Sequence, residues 1–220
     1  YYDGQGFMVP TSLGVSSAAD LDGATVCVQT GTTTELNLAD FFADNGISYT
    51  PYVVTTAAET NEAYLAGLCD VYTTDASGLA ATRSAFEKPD DHMVLPEIIS
   101  KEPLGPLTRH GDDQWSDIVK WTLNALINAE ELGVTAANAD EMAKSSASPS
   151  VKRLLGAEGE YGAMFGLDNN WALNAIKADG NYGEIFDKYI GKGSAVGIER
   201  GLNGLWNNGK GGILYAAPIR

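Results

Sequence analysis

Basic side chains are scarce: 14 Lys and Arg stand against 29 Asp and Glu, for a net charge of −15. A nucleic-acid surface needs clustered Lys and Arg, so that class of partner is excluded. Cysteine and histidine are nearly absent, with only Cys27, Cys69, His92 and His110 present. These are too few for a disulfide scaffold or a four-ligand zinc site, and no metal or other cofactor is expected. No apolar run approaches the roughly 18 to 20 residues of a membrane-crossing helix. Tyr1-Tyr2-Asp3-Gly4-Gln5-Gly6-Phe7-Met8-Val9 has no basic segment leading into an apolar stretch, so it is not read as a signal peptide. It reads as a strand already under way, closed by Pro10, which suggests a chain cut from something longer.

What is present is ordinary globular composition, 220 residues with 44% hydrophobic and 20% charged, enough for one large core or two smaller ones. Residues 24–29 form a short apolar strand, and Leu36, Ala39, Phe42 and Ala43 follow at helical spacing. Gly46 stops that helix. Residues 48–54 then read as a strand, 59–68 as a helix, 70–74 as a third strand, 76–86 as a third helix and 93–100 as extended chain. Strands alternating with helices of this length predict a parallel sheet over residues 10–102.

Past Pro103-Leu104-Gly105-Pro106 the pattern changes. Residues 112–132 predict a long amphipathic helix whose buried stripe is Trp115, Ile118, Val119, Thr122, Leu126 and Ala129. Asp112 and Asp113 suit its positive end, and Gly133 suits its stop. The remainder reads as short helices and a tail rich in Gly, Asn and aromatics, and no internal repeat is found.

The segment Gln29-Thr30-Gly31-Thr32-Thr33-Thr34-Glu35 places a glycine and several hydroxyls where a strand ends and a helix begins. Free N–H groups at a helix start, with the positive end of the macrodipole behind them, bind carboxylates and phosphates. The plainer reading is that Thr32 or Thr33 caps the helix, with Glu35 completing a capping box. Asp75 closes the third strand directly before a helix and has its own plain reading, as a helix cap. In a doubly wound sheet, however, ligands sit at the carboxyl ends of the strands where the strand order reverses. A donor cluster facing a carboxylate there is complementary to a zwitterion, which points to an amino acid.

Enzyme signatures are weak. Gly191-Lys192-Gly193-Ser194 lacks the spacing of a phosphate loop, Asp75-Ala76-Ser77-Gly78 is no nucleophile elbow, and neither histidine sits in a triad context. The pairs Asp90-Asp91, Asp112-Asp113 and Glu130-Glu131 read as solvated turns and helix faces.

Asp20-Leu21-Asp22-Gly23, residues 26–35, and Gly67-Leu68-Cys69-Asp70 with Val71-Tyr72-Thr73-Thr74-Asp75 together resemble the solute-binding proteins of polar amino-acid ABC importers. Asn181-Tyr182-Gly183-Glu184-Ile185-Phe186 is similar to that family's closing helix. Gln5-Gly6-Phe7-Met8-Val9, residues 97–105 and 121–131, and the ending Tyr215-Ala216-Ala217-Pro218-Ile219-Arg220 look like its general L-amino-acid-binding branch. The resemblance implies an α/β periplasmic-binding-protein fold in which two lobes close on the ligand about a hinge. It implies hinge strands at 1–11 and 103–111, one complete parallel-sheet α/β lobe at 12–102, and at 112–220 the mostly helical C-terminal part of the other lobe. Gly31, Thr32 and Thr33 would then bind an α-carboxylate and Asp75 an α-ammonium group.

It further implies a periplasmic receptor without chemistry, whose partners are an L-amino acid and an ABC permease in the inner membrane. The family's clamping Arg and aromatic side chains belong to a segment with no counterpart here. Half the cleft is therefore expected to lie outside these residues, and stripes such as Trp115, Ile118, Val119 and Leu126 to be exposed and to favour self-association. A dehydratase-like enzyme on the same scaffold, using Glu35 or Glu102 as the acid, and a single-lobe sensor or interaction module are the competing readings. Cys27 and Cys69 would fall on neighbouring parallel strands, a poor fit to disulfide geometry, in a protein exported to an oxidising compartment; a bond and two buried thiols both remain open.

Overall fold

The computed structural model describes residues 1–220 and divides into two units. The first comprises Tyr1–Leu104 with Ala195–Ile198, and the second Gly105–Ser194 with Glu199–Arg220.

In the first unit, strand β1 (Tyr2–Asp3) precedes β2 (Gln5–Pro10), followed by β3 (Ala24–Gln29), α1 (Thr33–Asp44), β4 (Tyr49–Val54), α2 (Ala57–Leu65), β5 (Val71–Asp75), α3 (Ala76–Ser84), β6 (His92–Val94) and β7 (Glu102–Pro103). Five strands form one sheet in the order β4-β3-β5-β2-β6, and β1 pairs separately with β7. β3 runs parallel to β4 and β5, as the alternating pattern predicts, whereas β2 lies antiparallel between β5 and β6. The sheet is therefore mixed. Within residues 1–11, expected as a hinge strand, β2 is an internal strand of this sheet, with Phe7, Met8 and Val9 fully buried. Its near-continuous apolar run suits a strand covered on both faces.

Alternation along the strands sorts the core. Phe7, Val9, Val26, Val28 and Val71 point to the face that α1 covers with Leu38 and Phe42. Met8, Cys27 and Tyr72 point to the other, where Tyr64 of α2 and Leu79 of α3 pack. Burying each such side chain stabilises the fold by about 1.5 to 3 kcal/mol. Residues 93–100 keep strand geometry only at their start, yet Leu95 and Ile99 still donate backbone N–H groups to Phe7 and Gln5.

Cys27 and Cys69 form a disulfide with a Cα–Cα distance of 5.6 Å. Cys69 is not on a strand: it lies in the turn before β5, where it escapes the geometry of paired parallel strands. Asp70 holds that turn against β3, its N–H donating to the Thr25 carbonyl and its carboxylate accepting from the Thr25 N–H, both at 2.8 Å.

The second unit is helical: α4 (Asp113–Glu131), α5 (Ala139–Ser145), α6 (Pro149–Leu154), α7 (Trp171–Asp179) and α8 (Tyr182–Tyr189). Asp112 caps α4 by accepting from the Trp115 N–H, and Gly133 leaves the helix at φ +69°. The buried residues of α4 are Ala125, Ile127 and Ala129, while Trp115 of the expected stripe is 53% exposed. Ala125 and Ala129 pack with Val151, Leu154, Ala172 and Ile176, small residues on α4 letting its neighbours approach. The tail runs along α4, the side chains of Asn124 and Asn128 bonding the backbone of Ala217. Asn181 caps α8 in a capping box and donates to the Val134 carbonyl.

Candidate functional site

The chain leaves β3 for β4 on one side and returns to β5 on the other, so the strand order reverses between β3 and β5. The carboxyl ends of two adjacent parallel strands, about 4.8 Å apart, flank this point. Gly31, Thr32 and Thr33 follow β3, and Asp75 closes β5. The β3–β5 register, Val26 opposite Val71, extrapolates to Thr30 opposite Asp75 at the strand ends.

Gly31 turns the chain at φ +70°, a left-handed conformation that a Cβ would strain. Thr32 is the helix cap. Its Oγ1 accepts from the Glu35 N–H at 3.3 Å and donates to the Gln29 carbonyl at 2.7 Å. The Glu35 carboxylate, read earlier as a possible acid, instead accepts from the Gly31 N–H at 3.0 Å. Thr33, at the first helical position, is exposed and its hydroxyl has no partner within the chain. The N–H groups of Thr33 and Thr34 belong to the first turn and have no intrahelical acceptor. The turn thus offers a hydroxyl and free amides at the positive end of α1.

Asp75 does not cap α3, although it occupies the cap position. Asp3 supplies that carboxylate: Oδ1 accepts from the N–H groups of Gly4 at 2.9 Å and Ser77 at 3.4 Å, and Oδ2 accepts from the Ser77 hydroxyl. Asp75 is left half-buried. Burial first, then the neighbouring carboxylates of Asp3 and Glu102, push its pKa above the ordinary value.

Gln5 ties the two halves of the site together. It pairs with Asp75 across the β2–β5 ladder, and its fully buried amide donates to the Thr34 carbonyl at 3.1 Å and to Thr73 Oγ1 at 2.9 Å. The first turn of α1 is thereby fixed relative to β5. Its N–H donates to Ser100 Oγ, which in turn donates to Glu102 Oε1 at 2.9 Å. Asp3 and Gln5 carry no local signal in the sequence, because the groups they hold lie far along the chain; Ser77, for example, is 74 residues from Asp3. The cavity of about 190 Å³ in the second unit, walled by Trp121, Phe165, Trp171 and other largely apolar side chains, contains none of these residues.

The raised pKa carries a sign. A carboxyl whose folded value lies above its unfolded value favours folding at low pH, and that contribution is lost as pH rises through the folded value. Asp75→Asn is therefore expected to raise the urea midpoint of the ligand-free chain at neutral pH. The gain over wild type should vanish below the carboxylate range, as urea titrations across pH would show.

No family model matches the chain. The general L-amino acid-binding periplasmic protein AapJ of Rhizobium johnstonii is 61% identical over 222 residues, spanning all of this chain and 64% of that protein. The glutamate/glutamine/aspartate/asparagine-binding protein BztA of Rhodobacter capsulatus is 57% identical over 220 residues, again all of this chain and 64% of the relative. The chain thus spans just under two thirds of these curated relatives. A solved ABC transporter periplasmic binding protein from Brucella ovis, with glutathione bound, is 54% identical and superposes with a TM-score of 0.94 over all of this chain and 69% of its own. At this identity and coverage, the chain belongs to the periplasmic binding proteins of ABC transporters.

Proposed function

We propose that the protein carrying this chain is a periplasmic receptor that binds L-amino acids by their shared zwitterionic head and delivers them to an ABC permease in the inner membrane, without chemistry. One observation carries the reading: unpartnered donors at the start of α1 and an aspartate released from capping duty end adjacent strands. The first suits an α-carboxylate and the second an α-ammonium group. Gly31 shapes the turn and Thr32 holds it, while Thr33 and the amides behind it meet the ligand. The relatives' names, which cover general, acidic and amide amino acids, favour recognition of the head over any one side chain. Glutathione, bound in the Brucella ovis relative, carries the same head at its γ-glutamyl end.

Calorimetry of the full-length protein that carries this chain against L-glutamine, L-glutamate, L-arginine and glutathione, with product analysis, tests this. Binding of several without conversion is expected; no binding, or a chemical product, would overturn it. Thr33→Ala is expected to weaken each amino acid by roughly 1 to 2 kcal/mol, since one hydroxyl is lost while the backbone donors remain.

A further inference from the structure

We propose that Asp3 is a positioning residue of the ligand site, capping α3 in place of Asp75 so that the Asp75 carboxylate stays free for a ligand's ammonium group. This rests on the reading of Asp75 as the ammonium site.

An aspartate immediately before a helix ordinarily turns back to accept from the second or third N–H of that helix. Here those groups belong to Ser77 and Gly78, and the Ser77 N–H and hydroxyl are both given to Asp3. Two carboxylates compete for one helix end, and the one from β1 holds it. The backbone fixes this outcome. Gly4 accepts from the Ala76 N–H at 2.8 Å, which brings β1 against the start of α3. A Cβ on Gly4 would meet Ile98 Cγ2 at 2.3 Å and the Ser100 carbonyl at 2.5 Å, so the packing of the residue after Asp3 against residues 98–100 requires glycine. Pairing of Tyr2 and Asp3 with Pro103 and Glu102 closes the other side of β1.

The arrangement also sets the charge around Asp75. The groups that act on it are Asp3 from β1 and Glu102 from β7, both acidic, while Gln5 from β2 is neutral. A bound ammonium group therefore meets one direct carboxylate with like charges behind it. Affinity requires Asp75 ionised, so it is present above the pKa of Asp75 and lost as pH falls through it. Removing the charge of Asp3 relieves part of the repulsion, lowers that pKa, and moves the acid limb of binding to lower pH.

The test compares Asp3→Ala with Asp3→Asn. Asparagine keeps an acceptor for the Ser77 N–H but no charge. Binding of L-glutamine, L-glutamate and L-arginine is measured across pH on the full-length protein that carries this chain, and the Asp75 carboxyl titration is followed by carbon NMR in the same protein without ligand. Asp3→Ala should weaken all three ligands by about tenfold, the scale of a lost cap, because Asp75 then takes the cap itself. Asp3→Asn should bind within about twofold of wild type at neutral pH, the cap being retained. Its Asp75 titration and its binding limb should both move to lower pH. Wild-type affinity in Asp3→Ala, or an Asp75 titration unmoved in Asp3→Asn, would overturn the proposal; the second readout stands even where the alanine variant fails to fold. Should Asp75→Ala itself leave all three affinities unchanged, the reading of the site falls and this proposal with it. Loss of binding in Asp75→Ala with Asp3→Ala silent removes this proposal alone.

Discussion

Asp75→Ala is expected to weaken every amino acid bound by on the order of 3 to 5 kcal/mol, two or more orders of magnitude in affinity, whatever the side chain. The α-ammonium and α-carboxylate groups are the only features all such ligands share, and both lose water on binding. Without Asp75 the ammonium group is buried unpaired, and the remaining carboxylates cannot replace it: Asp3 is held by Ser77 and Gly4, and Glu102 by Ser100. The contrast with Thr33→Ala is internal to the site, since the donor turn keeps its amides when a hydroxyl goes whereas the carboxylate has no second copy. Titration of both variants with an acidic, a neutral and a basic amino acid decides the matter. If Asp75→Ala weakens only the basic ligand, the carboxylate reads a side chain and the assignment to the common head is wrong. The same substitution should not destabilise the ligand-free chain through electrostatics, because Asp75 is a charge held among like charges.

Loss of the Cys27–Cys69 bond is expected to cost about 4 kcal/mol of folding stability, from the loop-closure entropy of a bridge spanning 42 residues. The bond joins β3 to the turn leading into β5, the two strands whose ends carry the donor turn and Asp75. Urea unfolding of the Cys27→Ala, Cys69→Ala double variant, with and without ligand, measures the loss. Both sulfurs sit in the core against Met8, Tyr64 and Tyr72, so part of the effect is a cavity term. Reduction of the wild-type protein, which leaves the packing atoms in place, separates the two. Thiol labelling of the unreduced, unfolded chain should find no free thiol; two per chain would show that the bond is not formed.

Much of the first unit is legible along the chain because its signals are local. The apolar runs at Val26-Cys27-Val28 and Val71-Tyr72 mark strands covered on both faces, and glycines such as Gly31 and Gly46, both at positive φ, mark where the chain must turn. The strand-turn-helix sequence around Thr32 contains its own cap, since donor and acceptor lie three residues apart. The long helix is equally plain in its ends. Its buried face is not: Ala125 and Ile127 are buried but lie outside the periodic stripe, because periodicity shows that a stripe exists and not which residues meet a neighbour.

What the chain alone determines, then, is the order of elements, the donor turn and the presence of an aspartate at a strand end. Each depends on residues a few positions apart. Only the tertiary structure decides that β2 enters the sheet antiparallel between β5 and β6, since an apolar run carries no direction. It alone decides that Cys69 stands off the strand where it can reach Cys27. It alone hands the cap of α3 to Asp3 and the first turn of α1 to Gln5, turning a residue that reads as a cap into a free carboxylate. A helix end is satisfied by whichever acceptor the fold brings near, and that acceptor can come from anywhere in the chain.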